Sequence, residues 1–235
     1  MRCRTRWSRH CIRRLRVDVK QKEAFLESEG DAWYRRNITP TTPQAAPQTD
    51  SLLREILELP ARHCVPGTKV LEIGCGDGAR LSWLKENRGF ECCGIDPSAQ
   101  AVTAARSRGI AASIGTADRL SFEEQSFDIV IFGFCLYLCD REDLFRIASE
   151  ADRVLRSPGW LLILDFYSPA TLKREYHHRR GLFSYKMDYR TLFTWHPAYT
   201  SYSHKLRHHS EHGYTDDATE WVATSVLRKH LEAGE

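Results

Sequence analysis

The chain has 235 residues, 42% of them hydrophobic and 28% charged, enough for one sizeable core and short for two. No run of about 18 apolar residues occurs, which argues against a membrane-spanning helix and gives the expectation of a soluble protein with no membrane partner, while cysteines that read as free thiols suit a reducing cytoplasm. The net charge of +3 is set by residues 1–16, with seven arginines and no acid; the remainder is mildly acidic, about −4, which argues against a nucleic-acid face on the folded part.

Residues 1–16 read as a basic, disordered tail, with the natural protein beginning near Val17; a leader or a nucleic-acid arm are the alternatives. Residues 17–49 read as a helical lid, carrying Trp33 and Tyr34, followed by a linker with three prolines. Asp50 or Ser51 then caps a helix in which Leu52, Ile56 and Leu59 keep helical spacing. From Lys69 strand-like runs (70–73, 92–95, 110–114, 127–132 and 160–166) alternate with helix-like segments, the pattern of a parallel sheet with crossover helices. One of those helices is read as capped by Asp140 and striped by Leu144, Ile147, Ala148, Ala151 and Leu155. Residues 170–215 are rich in His, Tyr and Arg, which suggests a cap over the ligand edge, with a short helix at 189–195. Residues 200–209 and 221–227 read as two strands returning antiparallel to the sheet edge. The eight cysteines follow neither a disulfide framework nor paired metal spacing, so Cys75, Cys92, Cys93 and Cys135 are expected to be buried free thiols.

The most informative stretch is Leu71-Glu-Ile-Gly-Cys-Gly-Asp-Gly78. Gly74 and Gly76 stand where a strand turns sharply into a helix, whose first N–H groups are free to meet a ligand. This is a nucleotide-type site. Gly74-x-Gly76-x-x-Ala79 also satisfies the loose dinucleotide fingerprint, which does not choose the nucleotide. Asp96, 22 residues beyond Gly74, ends the second strand and can accept from both hydroxyls of a ribose. The turns at residues 115–118 and at Gly133-Phe134 converge on the same edge.

Four stretches in order, residues 71–78, Gly94-Ile-Asp-Pro-Ser98, Ala117-Asp-Arg-Leu-Ser-Phe122 and Ser126-Phe-Asp-Ile-Val130, resemble the motifs of class I S-adenosylmethionine-dependent methyltransferases, most closely the branch with many small-molecule enzymes. The resemblance covers residues 50–167. It implies a Rossmann-like α/β fold: a seven-stranded, mostly parallel sheet with an antiparallel last strand near residues 220–227, helices on both faces, and a small cap. The domain would comprise a core at 50–169 and a cap with terminal strands at 170–235. The resemblance further implies S-adenosylmethionine as cofactor. Gly74, Cys75 and Gly76 would face its methionine part, with Glu72 holding the loop or the ammonium group. Asp96, followed by Pro97, would bind the ribose. Thr116 stands where this branch often has an Asp for the adenine amino group, so Asp118 takes that role, with the Ala117 N–H beside it. Phe134 would lie beside the cofactor.

Methyl transfer is an in-line displacement, so the protein aligns donor and nucleophile and excludes water. A base is needed only where the nucleophile must lose a proton. His177, His178 and Tyr185, on the proposed cap, are the candidates, with Tyr34, Tyr137 and His196 facing the acceptor. The histidines lack carboxylates and cysteines at matching positions, so no metal site is expected. The sequence therefore reads as a methyltransferase acting on an O or N nucleophile of a small molecule. An RNA or protein methyltransferase using the basic tail, or a cofactor-binding module without chemistry, are the alternatives.

Overall fold

A computed structural model describes residues 20–37, 45–210 and 216–230; the basic tail, the first part of the linker and His212 lie outside the described residues. The apolar runs form five parallel strands, β1 (Lys69–Ile73), β2 (Glu91–Asp96), β3 (Ala111–Ile114), β4 (Phe127–Gly133) and β5 (Leu155–Phe166). A separate hairpin follows, β6 (Leu172–Glu175) with β7 (Phe183–Lys186). The chain then rejoins the main sheet through β8 (Tyr199–His208) and β9 (Trp221–Lys229), giving the order β3-β2-β1-β4-β5-β9-β8.

Strand residues alternate between the two faces, and both faces are covered. Leu71, Ile73, Val130, Phe132, Leu161 and Ile163 share a cluster with residues of α6 (Leu144–Val154) and α7 (Thr191–Thr194). Val70, Ile129, Ile131 and Leu162 pack with α3 (Ser51–Glu58), α4 (Ala79–Arg88) and α5 (Ala99–Ser107). Double coverage is why β4 and β5 read as continuous apolar runs. It also puts Glu72, in phase with Val70, on the α3–α4 side.

Four expectations are corrected. β9 alone is reversed: it runs antiparallel to both β5 and β8, so β8 lies parallel to the first five strands. The helix at residues 189–195 contracts to α7. And α6 ends at Val154, with Leu155 already in β5; a residue buried at a helix end and one buried at a strand start give the same apolar signal. Asp140 does not cap its own helix. Its carboxylate accepts from the Gln21 and Lys22 N–H groups at 3.0 and 3.1 Å, capping α1 (Gln21–Ala24) from 119 positions away.

That N-terminal helix passes through a π turn (Phe25–Glu29) into α2 (Gly30–Asn37) and crosses the C-terminal edge of the parallel strands. Beyond the π turn Asp31 accepts from Ser98 Oγ at 2.6 Å and Gln100 N at 3.1 Å, fastening α2 to the start of α5. No helix among the described residues is long and apolar enough to cross a membrane.

Candidate functional site

A cavity of about 820 Å³ opens at the carboxyl ends of β1, β2 and β4, under α1 and α2. Strand order reverses between β1 and β4, the position at which open α/β sheets hold ligands. The chain leaves β1 through Gly74, Gly76 and Gly78, all with positive φ, before entering α4. Two of these glycines do different work. A Cβ on Gly74 would lie 2.7 Å from the Cys135 Cβ, so this position is required for close packing of the turn after β4. A Cβ on Gly76 would meet nothing within 4 Å, so its missing side chain leaves room in the cavity.

Asp96 ties this loop to β2. One carboxylate oxygen accepts from Gly76 N and the other from Ser98 N, both at 2.9 Å. Burial raises its pKa, and these two backbone donors work against that rise. Each oxygen keeps a further lone pair, the requirement for receiving vicinal hydroxyls.

Glu72, 2% exposed, is ion-paired with Arg80, the second residue of α4. Arg80 Nε reaches Asp50 at 2.9 Å, while Asp50 caps α3 through Leu52 N and Leu53 N. The second Glu72 oxygen, Oε2, is buried without a hydrogen-bond partner among the described residues. Burial pushes its carboxyl up to about 7, with Arg80 opposing. A buried carboxylate oxygen lacking a donor beside a cavity is suited to a cationic ligand group. At the other end Asp118 and Asp143 share the Lys22 ammonium, at 2.6 and 2.8 Å.

Every residue assigned to the cofactor, from Glu72 to Phe134, lines this cavity, as do Tyr34 and Trp33. Tyr34 stands in the field of Asp77, Arg108 and Asp96, on the side of the cavity where β2 ends. Tyr137 is buried behind the wall: Trp33 Nε1 donates to its hydroxyl at 3.0 Å, and burial raises its pKa. The other candidates are not brought to the cavity. Tyr176 and Leu182, at the inner ends of the β6–β7 hairpin, pack with Phe25 and Leu138, and His177 and His178 stack on each other at 3.8 Å, exposed on the connecting turn. Tyr185 lies under the Arg141 guanidinium at 4.2 Å. His196 Nδ1 accepts from Ala198 N beyond α7. Among the described residues no cluster of His, Cys, Asp and Glu could hold a metal ion.

Sequence reading missed Lys22, Arg80 and Asp143. Arg80 had a signal, a cation in the first turn of a helix, where the dipole disfavours it unless an anion is near. Lys22 and Asp143 had none.

A sheet of this order, with a glycine turn after the first strand and a carboxylate at the end of the second, has Rossmann-like architecture. Residues 71–163 match the profile of the family described as Methyltransferase domain. The chain is 32% identical over 127 residues to the fatty-acid O-methyltransferase of Mycolicibacterium smegmatis, across 50% of this chain and 46% of that one. It is 34% identical over 118 residues to a demethylmenaquinone methyltransferase of a Mycobacterium species, across 47% and 49%. The chain thus spans about half the length of the curated relatives it matches. In fold it resembles the 1,6-didemethyltoxoflavin-N1-methyltransferase of Burkholderia thailandensis, solved with S-adenosylhomocysteine, with a TM-score of 0.63, 16% identity and 88% of each chain covered. Residues 71–163 thus carry the likeness to a methyltransferase domain, and the chain has the Rossmann-like fold of S-adenosylmethionine-dependent methyltransferases.

Proposed function

We propose that this protein transfers a methyl group to an oxygen or nitrogen nucleophile of a small molecule. The observation that carries the reading is the convergence, on one cavity, of the open glycine turn, Asp96 and the unpartnered Glu72 oxygen. The Gly74–Gly76 backbone and Glu72 would hold the methionine part of S-adenosylmethionine, Glu72 taking its ammonium group. Asp96 would hold the ribose. Thr116, Ala117 and Asp118 would hold the base. Bound there, the cofactor supplies a methyl group already activated on a sulfonium centre.

Phe25, Trp33 and Phe134 line the remaining wall and would exclude water while aligning the acceptor. The histidines considered as bases stand outside this wall, so the reading favours an acceptor that presents a lone pair without first losing a proton to a side chain. A carboxylate is one, and a fatty acid, named in the O-methyltransferase similar to this chain, carries one; an amine lone pair is another. The mildly acidic folded part supports a small molecule over a nucleic acid. Calorimetry tests the reading. S-adenosylhomocysteine is expected to bind and Asp96→Ala to lose most of that affinity, while binding of NAD in its place would refute it. Labelled methyl transfer across carboxylates and amines then tests the acceptor class.

A further inference from the structure

Lys22 is not used by the reading above, yet it sits in the cavity. Its ammonium bridges two carboxylates from separate pieces of chain: Asp118 in the turn after β3, and Asp143 in the single turn (Arg141–Asp143) that leads into α6. Both carboxylates are buried, 8% exposed, and all three residues line the cavity beside Leu138 and Ile147. Burial works against the lysine charge, but Asp118 and Asp143 together raise its pKa to about 12. Burial likewise works against the Asp118 charge, and Lys22 with the Thr116 hydroxyl holds that carboxyl below its ordinary range. Asp118 is thereby held as an ionised acceptor at the end of the cavity where Lys22 and Asp143 stand beside Leu138 and Ile147.

The position of Lys22 is dictated by the lid helix. Its own N–H and that of Gln21 are held by Asp140. The Gln21 side chain donates to Leu138 O and accepts from Phe183 N, each at 2.6 Å. α1 is thus pinned at its first two residues, the second of which reaches Asp118.

We infer that Lys22 is a positioning residue for the nucleobase: with α1 closed it aims Asp118 at a base amino group, so that the protein selects adenine over a base with a carbonyl at that place. This rests on the proposed reading of the cavity as the cofactor site. A ring carbonyl would face the Asp118 carboxylate lone pair to lone pair, and sites built to receive an N–H discriminate strongly against ligands that lack it.

The test compares S-adenosylhomocysteine with S-inosylhomocysteine by calorimetry on the full chain. The unaltered protein is expected to prefer the adenine ligand by roughly a hundredfold. Lys22→Met is expected to reduce that ratio by on the order of tenfold, as loss of a charge-assisted contact implies, and Lys22→Arg to restore it. Asp118→Asn, which keeps the shape, is expected to lose the discrimination as well and remains informative if Lys22→Met does not fold. A lysine that only fastened the lid would weaken both ligands equally; an unchanged ratio in Lys22→Met, or retained discrimination in Asp118→Asn, overturns the inference. Equal binding of both ligands by the unaltered protein overturns it while leaving the cofactor reading intact. Binding of neither ligand overturns both.

Discussion

Replacing Glu72 by Gln keeps the side-chain shape and removes its charge next to the cavity. Burial holds this acid at about 7, against an ordinary value of 4.5. The folded chain therefore keeps a proton there that the unfolded chain has already released. Its contribution to stability is complete below about pH 4.5 and is lost as pH rises to about 7, a difference of about 3 kcal/mol. A ligand ammonium group reverses this preference, because it favours the carboxylate. Binding should then expel a proton below about pH 7 and none well above it. Affinity for S-adenosylhomocysteine is expected to rise by up to roughly tenfold between about pH 6 and 7, then level off. Calorimetric heats should depend on the ionisation enthalpy of the buffer only on the acid side. In Glu72→Gln both effects vanish, and affinity near pH 8 falls by roughly 10- to 100-fold, the value of a charge-assisted hydrogen bond. Asp165 serves as the control. Burial also pushes it up to about 7, but it accepts from the Leu136 and Tyr137 N–H groups behind the wall, so it affects the pH dependence of stability and leaves that of affinity alone. The same pH slope of affinity in the unaltered protein and in Glu72→Gln would refute the reasoning.

Gly76→Val forces a β-branched residue to φ +54 and fills the open side of the loop; affinity for S-adenosylhomocysteine should fall more than roughly a hundredfold, with a fold cost of about 1–2 kcal/mol seen as a lower unfolding midpoint. Asp140→Ala removes the cap of α1, worth about 1 kcal/mol. Stopped-flow fluorescence should show the bound ligand leaving several times faster, with the unfolding midpoint lowered by about 2–4 °C. His177→Ala and His178→Ala, on the exposed turn, should leave methyl transfer unchanged; a loss of turnover at constant stability would bring that turn back to the acceptor.

The parallel core was legible because its strands are apolar on both faces and its turns carry glycine and Asp-Pro-Ser at separations that only a strand-turn-helix unit satisfies. Asp96 could be placed for the same reason, since its distance from Gly74 is fixed by one crossover. The cap was not legible in this way. Nothing in the local sequence of Asp140 shows that its partner is the helix at Gln21, and nothing around His177 and His178 shows that Tyr176 and Leu182 take the buried side of the hairpin. Contacts across more than a hundred residues leave no periodicity to read. A histidine on a hairpin turn looks the same whether that turn faces a ligand or water.

The π turn at Phe25–Glu29 implies that this segment is sensitive to length more than to composition. Each residue of a helix turns the following side chains by about 100°, and a π turn carries one residue more than the regular ladder allows. Ahead of it Lys22 reaches Asp118; behind it Asp31 reaches Ser98. These partners lie on different crossovers of the sheet. Deleting a single residue here would straighten the helix and swing Asp31, Trp33 and Tyr34 away together, even if every remaining side chain were kept. Among natural variants of this chain, exchanges at the exposed residues 26–28 should be common relative to single-residue gaps within 25–29.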